Sequence, residues 1–149
     1  MKNQTARISI ESADFLQNIW KMFINSLTLQ RKSMEKVRNI KLFKNYYKEF
    51  YVAQTYEVRD KINKVLKLIE TQRMIPTKFF RIIEGSDGIY EIRIELGSNI
   101  YRVFCCFDEG SVVVLFHGFQ KKSQKTPPKE IRRAETIKKE YFKEKENKK

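Results

Sequence analysis

The stretch from Gly85 to Lys122, GSDGIYEIRIELGSNIYRVFCCFDEGSVVVLFHGFQKK, decides the fold. Three runs of alternating apolar and polar residues within it fall at about 88–96, 99–108 and 111–119. Such alternation predicts strands with one buried face. Glycine-containing turns separate the runs, and we expect Gly97-Ser98 and Glu109-Gly110 to be two-residue hairpin turns. The sequence therefore predicts three consecutive antiparallel strands at its centre.

These turns determine which side chains face one another across the strands. Arg93 is expected opposite Arg102, and Arg102 opposite His117, the only histidine of the chain. Cβ atoms of facing residues lie about 4.5–5.5 Å apart, and like charges there destabilise a sheet unless an anion or carboxylate compensates. Two arginines and a histidine side by side on one sheet face predict a phosphate-binding site.

A structural interpretation of these residues competes with the functional one. Glu91 and Glu95 flank Arg93 on its strand face, so the arginines would serve only in salt bridges. A single histidine in a strand is also more often structural than catalytic. The shared position across three strands, with Lys121 and Lys122 directly after it, favours a function.

The two faces of the predicted sheet differ in composition. One carries only apolar residues and should lie under helices, with Val112, Val114 and Phe116 among its members. The other surrounds the charged residues with Phe104, Leu115 and Phe119. We expect this second face to be less covered and to bind RNA, because aromatic rings stack on bases and arginines hold phosphates. Core packing is the alternative for its aromatic rings, and it is favoured for Phe104.

Composition limits the classes of protein that fit. The chain has 149 residues, 41% of them hydrophobic, which suffices for one globular core. Its net charge of +13 favours a polyanionic partner. Adjacent Cys105 and Cys106 should point to opposite faces of a strand, which disfavours a bridge between them. With one histidine they make no credible zinc set, so we expect no metal, no cofactor and a reducing cytoplasm.

Three segments are predicted along the chain: a helical extension at 1–33, a core at 34–126, and a basic helix and tail at 127–149. Ser12 is a possible N-cap for the amphipathic helix of the extension, whose apolar stripe is Phe15, Leu16, Ile19, Trp20, Phe23 and Leu27. No apolar run approaches the length of about 20 residues that crosses a bilayer, and no secretory signal is visible. For the amphipathic helix, docking on protein is favoured over the alternative of a role at a membrane surface, and we expect no membrane partner.

Within the core, the sequence predicts a first strand at 37–43 and a helical region at 44–70 with Thr55 as an N-cap. A short helical turn should begin at Pro76-Thr77 and end near Gly85. The last helix should span about 128–143, with a thin apolar stripe of Ile131, Ala134 and Tyr141. So narrow a stripe predicts a loosely held, mobile helix.

Several of these segments resemble the RelE/HigB family of toxins from bacterial type II toxin–antitoxin modules, in particular its phage-derived HigB-like branch. They are DGIYEIRI (87–94), YRVFCCF (101–107), VVVLFHGFQKKSQKTP (112–127) and EIRRAETIKKEY (130–141). The preceding KFFRIIEG also fits. The resemblance covers about 35–141 and leaves 1–33 outside.

The resemblance implies a fold, an activity and partners. The fold would be α+β, a small RelE/ParE-like domain with an antiparallel sheet packed on N-terminal helices and a C-terminal helix. The activity would be that of a metal-independent mRNA endoribonuclease, commonly ribosome-dependent, that inhibits translation in the cytoplasm. The partners would be mRNA, the ribosome and a co-expressed helix-turn-helix antitoxin of the Xre type.

By position, the resemblance assigns catalysis to Arg93, Arg102, His117, Lys121 and Lys122. Metal-free RNA cleavage needs a base for the 2′-OH, cations for the phosphorane oxygens and an acid for the leaving 5′ oxygen. His117 fits the acid or the base, the arginines fit the phosphate, and the lysines fit the acid or backbone contacts. We expect Arg102→Ala to abolish growth inhibition in a protein that still folds.

Further RNA contacts are expected from the C-terminal part of the chain, at Lys125, Arg132, Arg133 and Tyr141. Tyr141 would stack on a base or contribute a proton. Two other functions stay open at this point. One is a gyrase-directed ParE-like toxin, whose target would be a protein, and the other is a non-catalytic RNA-binding module, in which His117 would be dispensable.

Overall fold

The helices and strands are defined by a computed structural model that describes residues 2–33 and 35–149 and, within the first helix, the side chains of 14–29. In chain order they are α1 (Lys2–Ser33), β1 (Asn39–Leu42), α2 (Tyr46–Val52), α3 (Tyr56–Thr71), β2 (Phe80–Ile82), β3 (Tyr90–Leu96), β4 (Asn99–Phe107), β5 (Val112–Lys121) and α4 (Pro128–Asn147). The chain divides into two units, 1–35 and 36–149. Met34, the predicted first residue of the core, lies outside the described residues.

The first unit is the single helix α1. Because α1 begins at Lys2, Ser12 lies inside it and is not its N-cap. Its described apolar side chains are all exposed, including Trp20 at 63% and Phe23 at 53%. Among the helices of the described residues, none combines the length and the apolar character needed to cross a membrane.

A five-stranded sheet organises the second unit, in the order β1-β5-β4-β3-β2. The three central strands are antiparallel neighbours, as predicted. β1 pairs with β5 in parallel, so the sheet is mixed and not wholly antiparallel as the resemblance implied. The predicted helical turn after Pro76 is wrong beyond residue 79, because Phe80–Ile82 pairs with the free edge of β3 and buries Phe80.

Helices α2 and α3 cover one face of the sheet. The predicted N-cap of α3 is confirmed, since the Thr55 hydroxyl accepts a hydrogen bond from the backbone N–H of Val58. The apolar stripe of α3, including Ile62 and Ile69, packs on side chains such as Ile92 of β3. We call this layer the first core, and its burial of apolar surface is the main stabilising contribution on that side.

Helix α4 covers the opposite face and forms a second core. Its buried residues are Ala134, Ile137 and Tyr141, which pack with Phe104 and Phe116 of the sheet. The prediction of a loosely held helix is wrong because Ile137 completes the stripe at the spacing of three and four residues that one helix face requires. The second face was expected to be less covered. This is true only of its part near β2 and β3, which α4 does not cover.

The β3–β4 hairpin follows the prediction residue by residue. Leu96 pairs with Asn99 and Arg93 with Arg102. Gly97 has a φ of +59°, a backbone conformation in which a residue with a side chain would be strained.

The β4–β5 hairpin does not follow the prediction. Four residues, 108–111, form its turn, and Phe107 pairs with Val113. The first half of β5 is therefore inverted relative to expectation, with Leu115 in the first core and Val114 and Phe116 in the second. A bulge follows, in which Phe116 and His117 oppose the single residue Phe104 between regular pairs.

Beyond the bulge, Arg102 pairs with Phe119, so the predicted pairing of Arg102 with His117 is wrong. Gly118 then faces the first core, where an added Cβ would overlap the Phe50 ring. The two cysteines are free and buried in opposite cores, as their alternation predicted.

Candidate anion-binding site

The site is organised by one buried carboxylate, Glu91 on β3, which is only 2% exposed. Ile92 and Ile94 of the same strand point into the first core, so Glu91 and Arg93 lie on the α4 side of the sheet. Three arginines surround the carboxylate. A buried charge is costly unless it is paired, and these contacts supply the pairing.

The three arginines approach Glu91 from three strands. The Nε–H of Arg81 on β2 donates to Glu91 Oε1 at 3.0 Å. Arg102 Nε on β4 lies 3.2 Å from Oε2, and Arg93 Nε lies 3.7 Å from Oε1. One carboxylate beside three guanidinium groups leaves the cluster with an excess of positive charge.

Exposure differs sharply among these arginines. Arg102 is 1% exposed, and its Nη1 donates to the Tyr101 carbonyl oxygen at 2.9 Å. Burial lowers its pKa, and Glu91 opposes that shift. The side chains of Arg93 and Arg81 are 24% and 58% exposed. Arg102 therefore lies at the buried base of the cluster, which we call its floor, and the other two arginines reach solvent.

Two open clefts flank this cluster. The larger, about 610 Å³, is lined by Arg93 and Arg102 and by the segment 120–124. The smaller, about 410 Å³, is lined by Arg81 and Glu91 and by residues including Lys125. Lys121 and Gln124 line both clefts, so the two clefts are adjacent, and we call the pair the groove. No residue of α4 contributes to either lining.

Lys121 is the lysine most affected by this environment. Burial lowers its pKa, and the charges of Arg102, Arg93 and Arg81 lower it further, against an opposing contribution from Glu91. A lysine with a lowered pKa gives up its proton more readily near neutral pH than an ordinary surface lysine. Lys122 also lines the larger cleft and is exposed.

The structure separates His117 from these clefts. The residue is 1% exposed, and its ring packs against Phe104 at 5.5 Å and Phe119 at 6.2 Å between centroids. Its Nε2 lies 2.8 Å from Glu130 Oε2 of α4. Burial lowers the pKa of His117, and the hydrogen bond to Glu130 opposes the shift. His117 shares the sheet face of Arg102 but lines neither cleft.

The predicted RNA-binding residues fall into two groups. Lys125 lines the smaller cleft, whereas Arg132 and Arg133 are exposed on α4 and line neither. Tyr141 is 3% exposed and its hydroxyl donates to Asp108 Oδ2 at 2.6 Å. Burial, then Asp108, raises the Tyr141 pKa to about 12. The expectation that Tyr141 stacks on a base is therefore wrong in this structure, because its ring lies in the second core.

The sequence alone did not reveal Arg81 as a member of the site or Glu91 as its centre. Arg81 lay in the segment predicted as a helical turn, and its place beside β3 depends on the unpredicted strand β2. Glu91 was correctly predicted on the face of Arg93, but only as a salt-bridge partner and not as the buried centre of the site. Within 2–33 and 35–149, no group of three or more His, Cys, Asp or Glu side chains is arranged to hold a metal ion.

A mixed sheet between helices, with two clefts rich in arginine and lysine, defines a small α+β protein and confirms the predicted α+β class. Residues 49–139 match the family described as Phage derived protein Gp49-like (DUF891). Because this match covers more than half of the chain, the protein belongs to the Gp49-like family of phage-derived proteins.

The chain is also similar to one solved structure described as "Crystal structure of archaeal RelE-RelB complex from Pyrococcus horikoshii OT3". The two chains share 17% identity with a TM-score of 0.42, and the match covers 55% of this chain and 92% of the other. Comparison with curated protein sequences gives no significant match.

Proposed function

We propose that this protein is the toxin of a type II toxin–antitoxin module and acts in the cytoplasm as an mRNA endoribonuclease of the HigB-like branch. The observation that carries the proposal is the pair of adjacent clefts, whose linings contain more arginine and lysine than glutamate. A cationic groove suits an RNA backbone. Membership of the Gp49-like family and the RelE/HigB resemblance of the β3–β5 segments support the same function.

The proposed reaction is a transesterification without a bound metal. The 2′ oxygen of a ribose gives its proton to a solvent water and attacks phosphorus, the bond to the 5′ oxygen breaks, and that oxygen takes up a proton. Arg93 would bind the phosphate through its guanidinium fork, and Arg102 would supply positive charge from the floor. Lys121 would donate the proton to the 5′ oxygen, with Lys122 and Lys125 holding the flanking backbone.

In this scheme His117 is a positioning residue and does not touch the RNA. Its Nε2 is engaged by Glu130, so it fixes the start of α4 beside the segment 121–126 that carries the lysines. The proposed partners are mRNA, the translating ribosome, and a helix-turn-helix antitoxin of the Xre type that neutralises the toxin.

Arg93→Ala tests this function better than the expected Arg102→Ala. Removing buried Arg102 would leave Glu91 short of a partner and endanger folding, whereas Arg93 is partly exposed. We expect Arg93→Ala to lower the cleavage rate by about 10²–10³-fold and to abolish growth inhibition. The measurement is mapping of cleaved mRNA ends after induction, with circular dichroism to establish folding.

Arg73→Ala is the matched control, because Arg73 is exposed and lies outside both clefts. It should cleave like the parent protein. Intact messages together with blocked gyrase would replace the proposal with the ParE-like function. RNA binding without new mRNA ends would leave a non-catalytic RNA-binding module.

A further inference from the structure

The least explained feature of the groove is the pairing of buried Glu91 with exposed Arg81. Arg81 uses its Nε–H for Glu91 Oε1, and among the described residues neither of its Nη groups makes a hydrogen bond. Its side chain is 58% exposed and lines the smaller cleft. A guanidinium group held from behind in this way presents its two outer nitrogens to the cleft as a fork.

The two oxygens of the Glu91 carboxylate are not equivalent in their contacts. Glu91 Oε2 is buried and has no hydrogen bond of good geometry, although Arg102 Nε lies 3.2 Å away. Arg102 Nε and Arg93 Nε are likewise buried without such a bond. The carboxylate therefore acts on these two arginines mainly as a charge at short distance, and it fixes the direction of Arg81 alone by a hydrogen bond.

We propose that Glu91 is a positioning residue and that Arg81, which it holds, binds the RNA phosphate next to the one at Arg93. This inference rests on the proposed function, because it assigns the path of the same RNA strand. The larger cleft contains Arg93 and the smaller contains Arg81, with Lys121 shared between them. A strand that follows the groove past Lys121 passes both arginines in succession.

The lining of the groove also indicates how the strand is held. Its side chains are charged, amide, hydroxyl or aliphatic, and neither lining includes an aromatic residue. Stacking on bases is therefore absent from this path, and phosphate contacts supply the affinity. Arg81 should then account for one of the phosphate contacts that determine the affinity and its salt dependence.

Binding of a short single-stranded 2′-O-methyl RNA, which lacks the attacking hydroxyl, tests the Arg81 assignment without cleavage. We expect Arg81→Ala to weaken binding and to reduce the slope of log K against log salt by about 0.7, the value for one phosphate contact on a single strand. Arg73→Ala, the same change of charge outside the clefts, should leave the slope unchanged. An unchanged slope in Arg81→Ala would overturn the assignment.

Glu91→Gln tests the positioning residue by separating binding from cleavage. Loss of a negative charge should keep or strengthen RNA binding. Because the arginines lose the carboxylate that positions them, the cleavage rate of mRNA on translating ribosomes should fall by more than tenfold. Glu91→Asp, which keeps the charge, should recover part of that rate. A purely structural role would instead lower the folded fraction and leave the rate per folded molecule unchanged, and failure of Glu91→Gln to fold would have the same meaning.

The outcomes distinguish this inference from the proposed function. If the parent protein binds the RNA but cleaves no mRNA even on translating ribosomes, the nuclease proposal fails and the salt slope of Arg81→Ala still decides the binding role. If the parent protein does not bind the RNA, both are overturned. If it cleaves RNA and Arg81→Ala matches it in slope and rate, only the present inference fails.

Discussion

His117 illustrates how one residue of a functional pattern becomes a structural one. Its alternation with Phe119 placed it correctly on the face of Arg102, but the bulge moved it under α4. There its Nε2 forms a hydrogen bond with Glu130. Its buried Nδ1 has no hydrogen-bond partner among the described residues. A ring enclosed in this way between Phe104 and Phe119 stabilises the protein mainly in its neutral form.

The lowered pKa of His117 predicts a specific pH dependence of stability. Its unfolded pKa is about 6.5, and burial lowers the folded value although Glu130 opposes this. Between the two values the unfolded state binds more protons, so the stabilisation is complete above the unfolded pKa and is lost as pH falls towards the folded one. Urea unfolding at pH 7.5 and pH 5.5 should show this loss.

His117→Gln is the control for that measurement, because glutamine does not titrate. The variant should be less stable at pH 7.5 but should lose less stability than the parent protein on acidification. Equal losses in both proteins would mean that other groups cause the pH dependence and that His117 is not held neutral.

At the scale of elements, the sequence predicted correctly those elements that depend on interactions between neighbouring residues. The β3–β4 hairpin depends on the two-residue turn at Gly97, and α3 depends on the cap at Thr55, so both could be predicted from a few neighbouring residues. The pairing of Arg93 with Arg102 follows from that turn. This half of the candidate site was therefore readable in the sequence.

The β4–β5 hairpin and β2 depend on interactions that the sequence does not display locally. A four-residue turn and the later bulge each shift the register, and the bulge exists because Gly118 must face Phe50 while Phe116 and His117 both face α4. β2 is only three residues long and is defined by the free edge of β3. The place of Arg81 could not be predicted without that long-range pairing.

Helix α4 is fixed near its C-terminal end by a network around Asp108. Tyr141 donates to Asp108, accepts a hydrogen bond from Lys41 Nζ at 3.0 Å, and Lys145 Nζ lies 2.7 Å from the same carboxylate. Although burial of Asp108 acts in the opposite direction, the hydrogen bonds from Lys145 and Tyr141 lower its pKa to about 2. These contacts connect α4 with β1 and the end of β4.

We expect Tyr141→Phe to lower the free energy of unfolding by about 1–2 kcal/mol, because it removes a partly buried hydrogen bond to a charged acceptor while keeping the ring in the second core. Urea unfolding measures the change. Tyr56→Phe is a suitable control, since Tyr56 is 74% exposed, and it should be nearly neutral. A neutral Tyr141→Phe would show that the Asp108 network does not hold α4.

At the scale of the whole molecule, the fold and the candidate site belong to one unit. Every buried residue of the two cores lies between Phe43 and Tyr141, and both clefts are lined by residues from 81 to 126. The matched family segment, 49–139, falls within the same unit. The two cores and the proposed RNA-binding groove are thus both contained in 36–149.

We therefore expect the fragment 36–149 to fold and bind RNA like the full chain. Folding stability comes mainly from apolar burial, and the described apolar side chains of α1, at 14–29, are exposed in their own unit. The midpoint of thermal unfolding should stay within about 4 °C of that of the full chain, because 1 kcal/mol corresponds to roughly that shift in a domain of this size. A larger drop, or a weakened affinity for the 2′-O-methyl RNA at equal salt, would show that α1 contributes to the core or to the groove.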